Sequence, residues 1–345
     1  MGLDADLGTQ ASFPLRGWEV ALYTIITIVG ITGNSMVIIV LKRNKDMRNC
    51  AFGIYLGSLA FVDVLVCILC LPVYITSTDV FKNHPTGKAG DIVCKTWTNY
   101  FILFYFAVIS VYTLVAISYE RYLAICHPVK SRVLSSTARA KKIVIAIWIF
   151  AIVPNIALIA GMKWAEPGKA SFGAHCTAVE FNDTGIWIMF YVIILVMQYL
   201  IPITCMVVCF AKIRKALNEY KKKAISCNAP HVRAGELSVL RTRGKTIRTV
   251  IIMISAYFLC WSLNQVLYFL LNIGYGIVWN GDLMQVSVVM CFLSSCINPI
   301  IYARRSTQFR QEFSALLVCC FGKKRKREHT ITDDSSTYGT MKTVM

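Results

Sequence analysis

The sequence predicts an all-α bundle of seven membrane-crossing helices, and three observations carry that expectation. Of 345 residues, 56% are hydrophobic and only 16% are charged, with a mean hydropathy of +0.58; a soluble domain carries about 25% charged residues. Apolar stretches of about 20 residues recur along the chain, each long enough to cross ~30 Å of hydrocarbon at ~1.5 Å per residue. The bases fall almost entirely in alternate loops, the bias that orients membrane proteins. Composition of this kind excludes a disordered chain, a collagen and a small disulfide scaffold.

Seven spans are expected near 21–41, 52–77, 96–120, 143–161, 186–211, 248–271 and 283–303. Residues 1–18 contain no apolar core, so span one is expected to act as its own insertion signal. Span one carries Gly33-Asn34, and span two carries Asp63, the only charge deep inside any span. Span three ends in Glu120-Arg121-Tyr122, followed by Pro128; span four carries Trp148 and span five Pro202. Span six holds Cys260-Trp261, and span seven closes on Asn298-Pro299-Ile300-Ile301-Tyr302. An odd number of spans puts the termini on opposite sides. With the N-terminus outside, 30 of the 36 bases lie inside and 6 outside, so the expected arrangement is N-terminus extracellular and C-terminus cytoplasmic. The net charge of +18 therefore reports orientation and does not point to nucleic acid.

Only Cys94 and Cys176, of 14 cysteines, fall on the oxidising side, and a bridge between them is the natural reading. Asn182-Asp183-Thr184 is a glycosylation acceptor triplet in the same outer loop. Soluble-enzyme motifs are absent: Gly244-Lys245-Thr246 resembles the end of a phosphate loop, but position 239 is Val where that loop needs Gly. Cys67 and Cys70 have redox or zinc spacing but sit inside an apolar span with no histidine near them, which reads as core packing. A transporter should show internal repeats or several intramembrane charges, and a membrane enzyme a cluster of nucleophile and base at one depth; neither is visible.

A mid-membrane Asp costs about 2.5–3.5 kcal/mol on insertion scales, so Asp63 should face the bundle interior and have partners, whether structural or functional. A proline inside span seven removes one backbone hydrogen bond and weakens the helix there. Gly33-Asn34, Asp63, Glu120-Arg121-Tyr122, Trp148, Pro202, Cys260-Trp261 and Asn298-Pro299-Tyr302, in this order on seven spans, resemble the rhodopsin-like (class A) G-protein-coupled receptors over residues 20–318.

The resemblance implies a plasma-membrane receptor that exchanges nucleotide on a heterotrimeric G protein. Glu120, Arg121, Tyr122, Pro128, Asn298, Pro299 and Tyr302 would serve coupling. Asp63, Ser110, Ser294, Ser295 and Asn298 would line an internal site for sodium, the one cofactor-like ion expected. Leu103, Phe104, Gln198, Trp261, Asn264, Gln265, Tyr268 and Met284 would line the ligand pocket. Residues 304–318 look like a short amphipathic eighth helix on the inner leaflet, with Phe309 and Phe313 four apart on its apolar side. Cys319-Cys320 then read as palmitoylation sites, and the Lys323–Arg327 run beside them should attract anionic lipid. The implied domain organisation is 1–19 an extracellular tail, 20–303 the seven spans, 304–318 the amphipathic helix, and 319–345 a disordered cytoplasmic tail rich in Ser and Thr, suited to a receptor kinase and arrestin.

The departures are specific. Position 263 is Leu where the family usually has Pro, so span six is expected to be less kinked. Phe210 replaces a tyrosine eight residues after Pro202. Cys94 lies two residues further from Arg121 than is usual, which predicts a bulge or extra turn at the start of span three. Arg243, eighteen positions before Trp261, stands where many relatives carry an acid that latches Arg121. Leu103 at the amine-receptor Asp level argues against a biogenic amine, and span seven has no Lys for a retinal Schiff base. Trp261, Asn264, Gln265 and Tyr268 share one helical face, with Gln198 expected opposite. Amides and a phenol below outer carboxylates (Asp79, Asp91, Glu166, Glu180, Asp183 and Asp282) suit a peptide, with a flavour similar to galanin or somatostatin receptors. A lipid or small-molecule ligand is the alternative.

Overall fold

The computed structural model describes residues 14–78, 80, 83–166, 175–179, 184–226, 230–277, 279, 281–305 and 309–315. Asn182, Cys319, Cys320, the tail 319–345, Asp79, Glu180 and Asp183 lie outside the described residues, as does the side chain of Arg243.

Among the described residues, six helices are long and apolar enough to cross a membrane by themselves. Span one is Gly17–Arg43 and span two Ala51–Ser77. Between them, Asn44 caps the short helix Lys45–Arg48 by accepting from the Met47 N–H, and the Cys50 sulfur accepts from the Gly53 N–H to start span two. Span three is Phe101–Cys126, and span six is Pro230–Asn272. Span seven is Asp282–Arg305.

The fourth span differs from the expected single helix at 143–161. Its α-helix is Thr137–Phe150, started by Ser136 accepting from the Arg139 N–H; a turn, a 3-10 turn at Val153–Asn155 and a short helix Ile156–Ala160 come after it. Pro154 has no N–H to give the ladder, and Asn155 donates its side-chain amide back to the Ala151 carbonyl. Span five is Thr184–Leu195 and Ile201–Ser226, joined by a π-turn at Val196–Leu200. A single extra residue of this kind rotates the second half of a helix against the first.

The extra turn expected at the start of span three is present. Cys94–Thr98 forms a π-turn, and Tyr100 then adopts φ 57°, a left-handed conformation that costs an L-residue roughly 1–2 kcal/mol. Tyr100 is fully buried, so packing holds it there.

The main core is a large apolar cluster running between the spans, with three smaller ones beside it among the described residues. Spans one, two and seven approach most closely where side chains are absent. A β-carbon at Gly30 would sit 2.1 Å from the Cys67 sulfur, and one at Gly33 would sit 2.9 Å from Pro299. Asn34 uses that proximity: its amide donates to the Gly30 carbonyl and, across the bundle, to the Ser295 carbonyl at 2.9 Å. The only sheet among the described residues is a two-stranded hairpin, Met162–Trp164 against Cys176–Ala178, tied by the Cys94–Cys176 disulfide to the start of span three. Beyond span seven, residues 309–315 are helical, and Phe309 and Phe313 bury themselves beneath it, Phe309 stacking on Tyr302 at 5.5 Å.

Candidate functional site

Asp63 is completely buried, and helix geometry brings its partners from two other spans. Ser110 donates to one carboxylate oxygen at 3.0 Å, and the Asn298 amide donates to the other at 2.9 Å. Beside this triad lies a cavity of about 10 Å³, lined by Ser110, Trp261, Ser294, Ser295 and Asn298. That is space for about one water-sized occupant. An isolated buried carboxylate would be very costly, so these hydrogen bonds are what allow it to remain.

Above this level, Trp261 is buried, with its indole N–H directed at the Ser294 hydroxyl at 3.4 Å. Phe104 meets it edge-on at 6.4 Å, and Leu103 is fully buried beside Phe104 on span three. One turn further along span six, Asn264 donates to Ser287, and that hydroxyl donates to the Met284 carbonyl. Gln265 is 3% exposed. Tyr268 packs edge-on against both Tyr191 and Trp279. Gln198 is a correction: its side-chain amide donates to the Pro154 carbonyl and to Asn155, filling the break in span four, and its backbone carbonyl accepts from the Tyr257 hydroxyl. It sits inside the π-turn of span five.

At the other end of span three, the Arg121 guanidinium pairs with Glu120 and lies 4.2 Å over the ring of Phe52 on span two. Tyr122 shares a 2.9 Å hydrogen bond with His127, immediately before Pro128 opens the short helix Pro128–Leu134. Tyr302 is buried, directed at the Met253 sulfur, with Pro299 inside its helix. Phe210 packs in an apolar group with Ile125, Ile213 and Ile247.

Sequence reasoning missed a cluster at the bridge-bearing end. Glu19 is 1% exposed; Arg16 reaches both Glu19, at 3.5 Å, and Asp282 at the head of span seven, while its backbone N–H donates to the Tyr74 hydroxyl. Tyr23 packs against Tyr74 with tilted rings 4.8 Å apart, and its hydroxyl meets no hydrogen-bond partner among the described residues. The signal was there to be read: Arg16, Glu19 and Tyr23 stand at spacings of three and four along one helical face. Phe52 had no such signal, because its partner Arg121 is remote in sequence.

Seven helices around a buried carboxylate triad, with a tryptophan-floored aromatic region at one end and a paired arginine at the other, define a membrane receptor bundle. The family description "7 transmembrane receptor (rhodopsin family)" matches residues 33–302, and the chain belongs to that family. Among its relatives, the cholecystokinin receptor type A of Cavia porcellus is 29% identical, over 89% of this chain and 83% of that receptor. The growth hormone secretagogue receptor type 1 of Sus scrofa is 28% identical, over 94% and 86%. The allatostatin-A receptor of Bombyx mori is 29% identical, over 85% and 78%.

Proposed function

We propose that this chain is a plasma-membrane receptor without enzymatic activity of its own, that it binds an extracellular peptide at the bridge-bearing end, and that it activates a heterotrimeric G protein at the Arg121 end. The N-terminus is outside and the C-terminus inside. The observation that carries the reading is the buried Asp63–Ser110–Asn298 triad, in a chain of this family that also holds Trp261 and the Arg121–Glu120 pair. The relatives named for cholecystokinin, a growth hormone secretagogue and allatostatin-A support a peptide, as do the amides and phenol on span six. Orientation rests on the basic loops. Asn182 is the glycosylation site, Cys319 and Cys320 are palmitoylated beside anionic lipid, and a receptor kinase and arrestin act on the tail. The test is guanine-nucleotide exchange in cells expressing the receptor, against a library of neuropeptides. At least one peptide should stimulate exchange; stimulation by lipids or small molecules alone would replace the peptide reading.

Sodium belongs to the same proposal. Asp63, Ser110, Ser294, Ser295 and Asn298 are hard oxygen-bearing side chains, and a monovalent or divalent hard cation takes oxygen ligands. An ion there favours whichever conformation holds these groups closest, because a ligand shifts an equilibrium only by its differential affinity. Asp63→Asn is expected to abolish the sodium sensitivity of agonist binding. Agonist affinity in the unmutated receptor that is equal in sodium and in a bulky organic cation would remove the ion from the account.

A further inference from the structure

At the bridge-bearing end, two histidines from distant parts of the chain face each other. His84 lies between span two and the short helix Gly87–Val93, and His175 immediately precedes the hairpin strand Cys176–Ala178. Both are half-buried, with ring centroids 5.2 Å apart and ring planes tilted by 49°. Zinc binds imidazole nitrogen at about 2.0–2.1 Å with tetrahedral angles; adding a ring radius of about 1.1 Å puts the centroids of two ligating rings about 5 Å apart. The observed separation matches two ligands to one ion. Square-planar copper(II), with ligands at right angles, would draw the centroids in to about 4.5 Å.

Both residues are held from behind. The His84 ring donates to the Thr76 backbone carbonyl, the kind of outer hydrogen bond that fixes tautomer and orientation in metal-ligating histidines. Its second nitrogen therefore keeps a lone pair. The backbone carbonyl of His175 accepts from the Ala165 N–H at 2.9 Å, and the adjacent Cys176 is fixed by the disulfide. Burial and the facing ring hold the His84 pKa below its ordinary value, so near neutral pH the ring is in the uncharged form that a metal needs. Among the described residues no third imidazole, thiol or carboxylate makes up a group of three, and the two bridge cysteines are bonded to each other. Water fills the remaining positions, which leaves the ion open to exchange with solution.

We propose that His84 and His175 form an exchangeable zinc site that ties the connection between spans two and three to the outer hairpin. Magnesium and calcium take oxygen ligands and do not suit it. An ion bound there steadies the hairpin at the end where the peptide is proposed to enter. That consequence rests on the receptor reading; the site itself does not.

The test uses full-length receptor without a polyhistidine tag, stripped of metal by a chelator and treated with diethyl pyrocarbonate, which acylates uncharged imidazole nitrogen. Modification of each histidine is followed by peptide mass spectrometry as zinc is added. At ten times its dissociation constant, zinc should slow modification of both His84 and His175 about tenfold. His127, at the other end and hydrogen-bonded to Tyr122, should keep its rate, and magnesium should protect neither outer histidine. His175→Ala should abolish the protection of His84, and His84→Ala that of His175. Mutual dependence of this kind is not produced by a merely structural contact. Each variant is read against its own zinc-free rate, so a change in burial does not imitate loss of protection. Rates unchanged by zinc, protection of one histidine alone, or protection of either that survives loss of the other would overturn the site. The measurement needs neither an agonist nor a G protein, so its failure leaves the receptor reading untouched.

Discussion

Arg16 joins three segments through one side chain and one backbone N–H. It contacts Glu19 within span one, Asp282 at the head of span seven and Tyr74 on span two. The two ion pairs differ in worth. Asp282 is largely exposed, so its pair contributes ~0–1 kcal/mol. Glu19 is buried, and removing its partner strands a carboxylate in a poorly solvated place; breaking such a pair costs about 3–5 kcal/mol in a full interior. Arg16 is itself 23% exposed, so we predict that Arg16→Ala destabilises the receptor by about 1–2 kcal/mol, read as earlier thermal unfolding of purified protein. The double variant Arg16→Ala, Glu19→Gln should recover most of that loss, because the stranded charge is gone. A single and a double variant that unfold together would show that the ion pair carries no stability.

At the scale of elements, the bridge-bearing end is organised by departures from regular helix. The π-turn at Cys94–Thr98 and the left-handed Tyr100 place Cys94 against the hairpin, and Asp91 accepts from the Trp164 N–H at 2.7 Å. His84 and His175 face each other across this region with ring centroids 5.2 Å apart. Burial is the larger cause that holds the His84 pKa below its ordinary 6.5, and the neighbouring His175 adds to it; a backbone contact to Thr76 opposes both. A group depressed on folding binds fewer protons folded than unfolded. Its contribution is therefore present above about pH 6.5 and is lost as pH falls through and below that value. Amide exchange in the strands Met162–Trp164 and Cys176–Ala178, corrected for intrinsic rates, should accelerate between pH 7.4 and pH 5.5. His84→Gln should flatten that dependence, and a slope that survives the substitution would point to another group.

For the whole molecule, the question is what holds the resting state. Arg243 offers no acid to Arg121, so the usual tie between spans three and six is missing from the sequence. Arg121 instead has the Phe52 ring at 4.2 Å, which ties span three to span two. Such a cation–π contact is worth about 0.5–1 kcal/mol at partly exposed sites. If Arg121 must leave Phe52 to meet a G protein, losing that contact multiplies the active fraction about two- to fivefold. We predict that Phe52→Leu raises agonist-free nucleotide exchange by that factor at matched surface expression. Phe52→Tyr, which keeps a ring, should stay near the unmutated level. Equal basal exchange in all three would remove Phe52 as a restraint.

The seven-span architecture was legible because hydrocarbon imposes length and apolarity on every span, and both can be counted along a sequence. That Asp63 needs partners was legible for a related reason, since it is too costly in a membrane to stand alone; that Ser110 and Asn298 supply them was implied by the family resemblance. The extra turn before Phe101 could be counted as well, since two residues of surplus length must go somewhere. Four features came only from the tertiary structure: the break at Val153–Asn155, the turning of Gln198 into it, the burial of Glu19 against Tyr74, and the seat of Arg121 on Phe52. Each depends on a partner more than 30 residues away or on the rotation that one extra helical residue imparts. A pattern of residue types fixes the face on which a side chain lies, but a shift of one residue in a helix turns that face by about 100°, and only the packed bundle decides which neighbour it then meets.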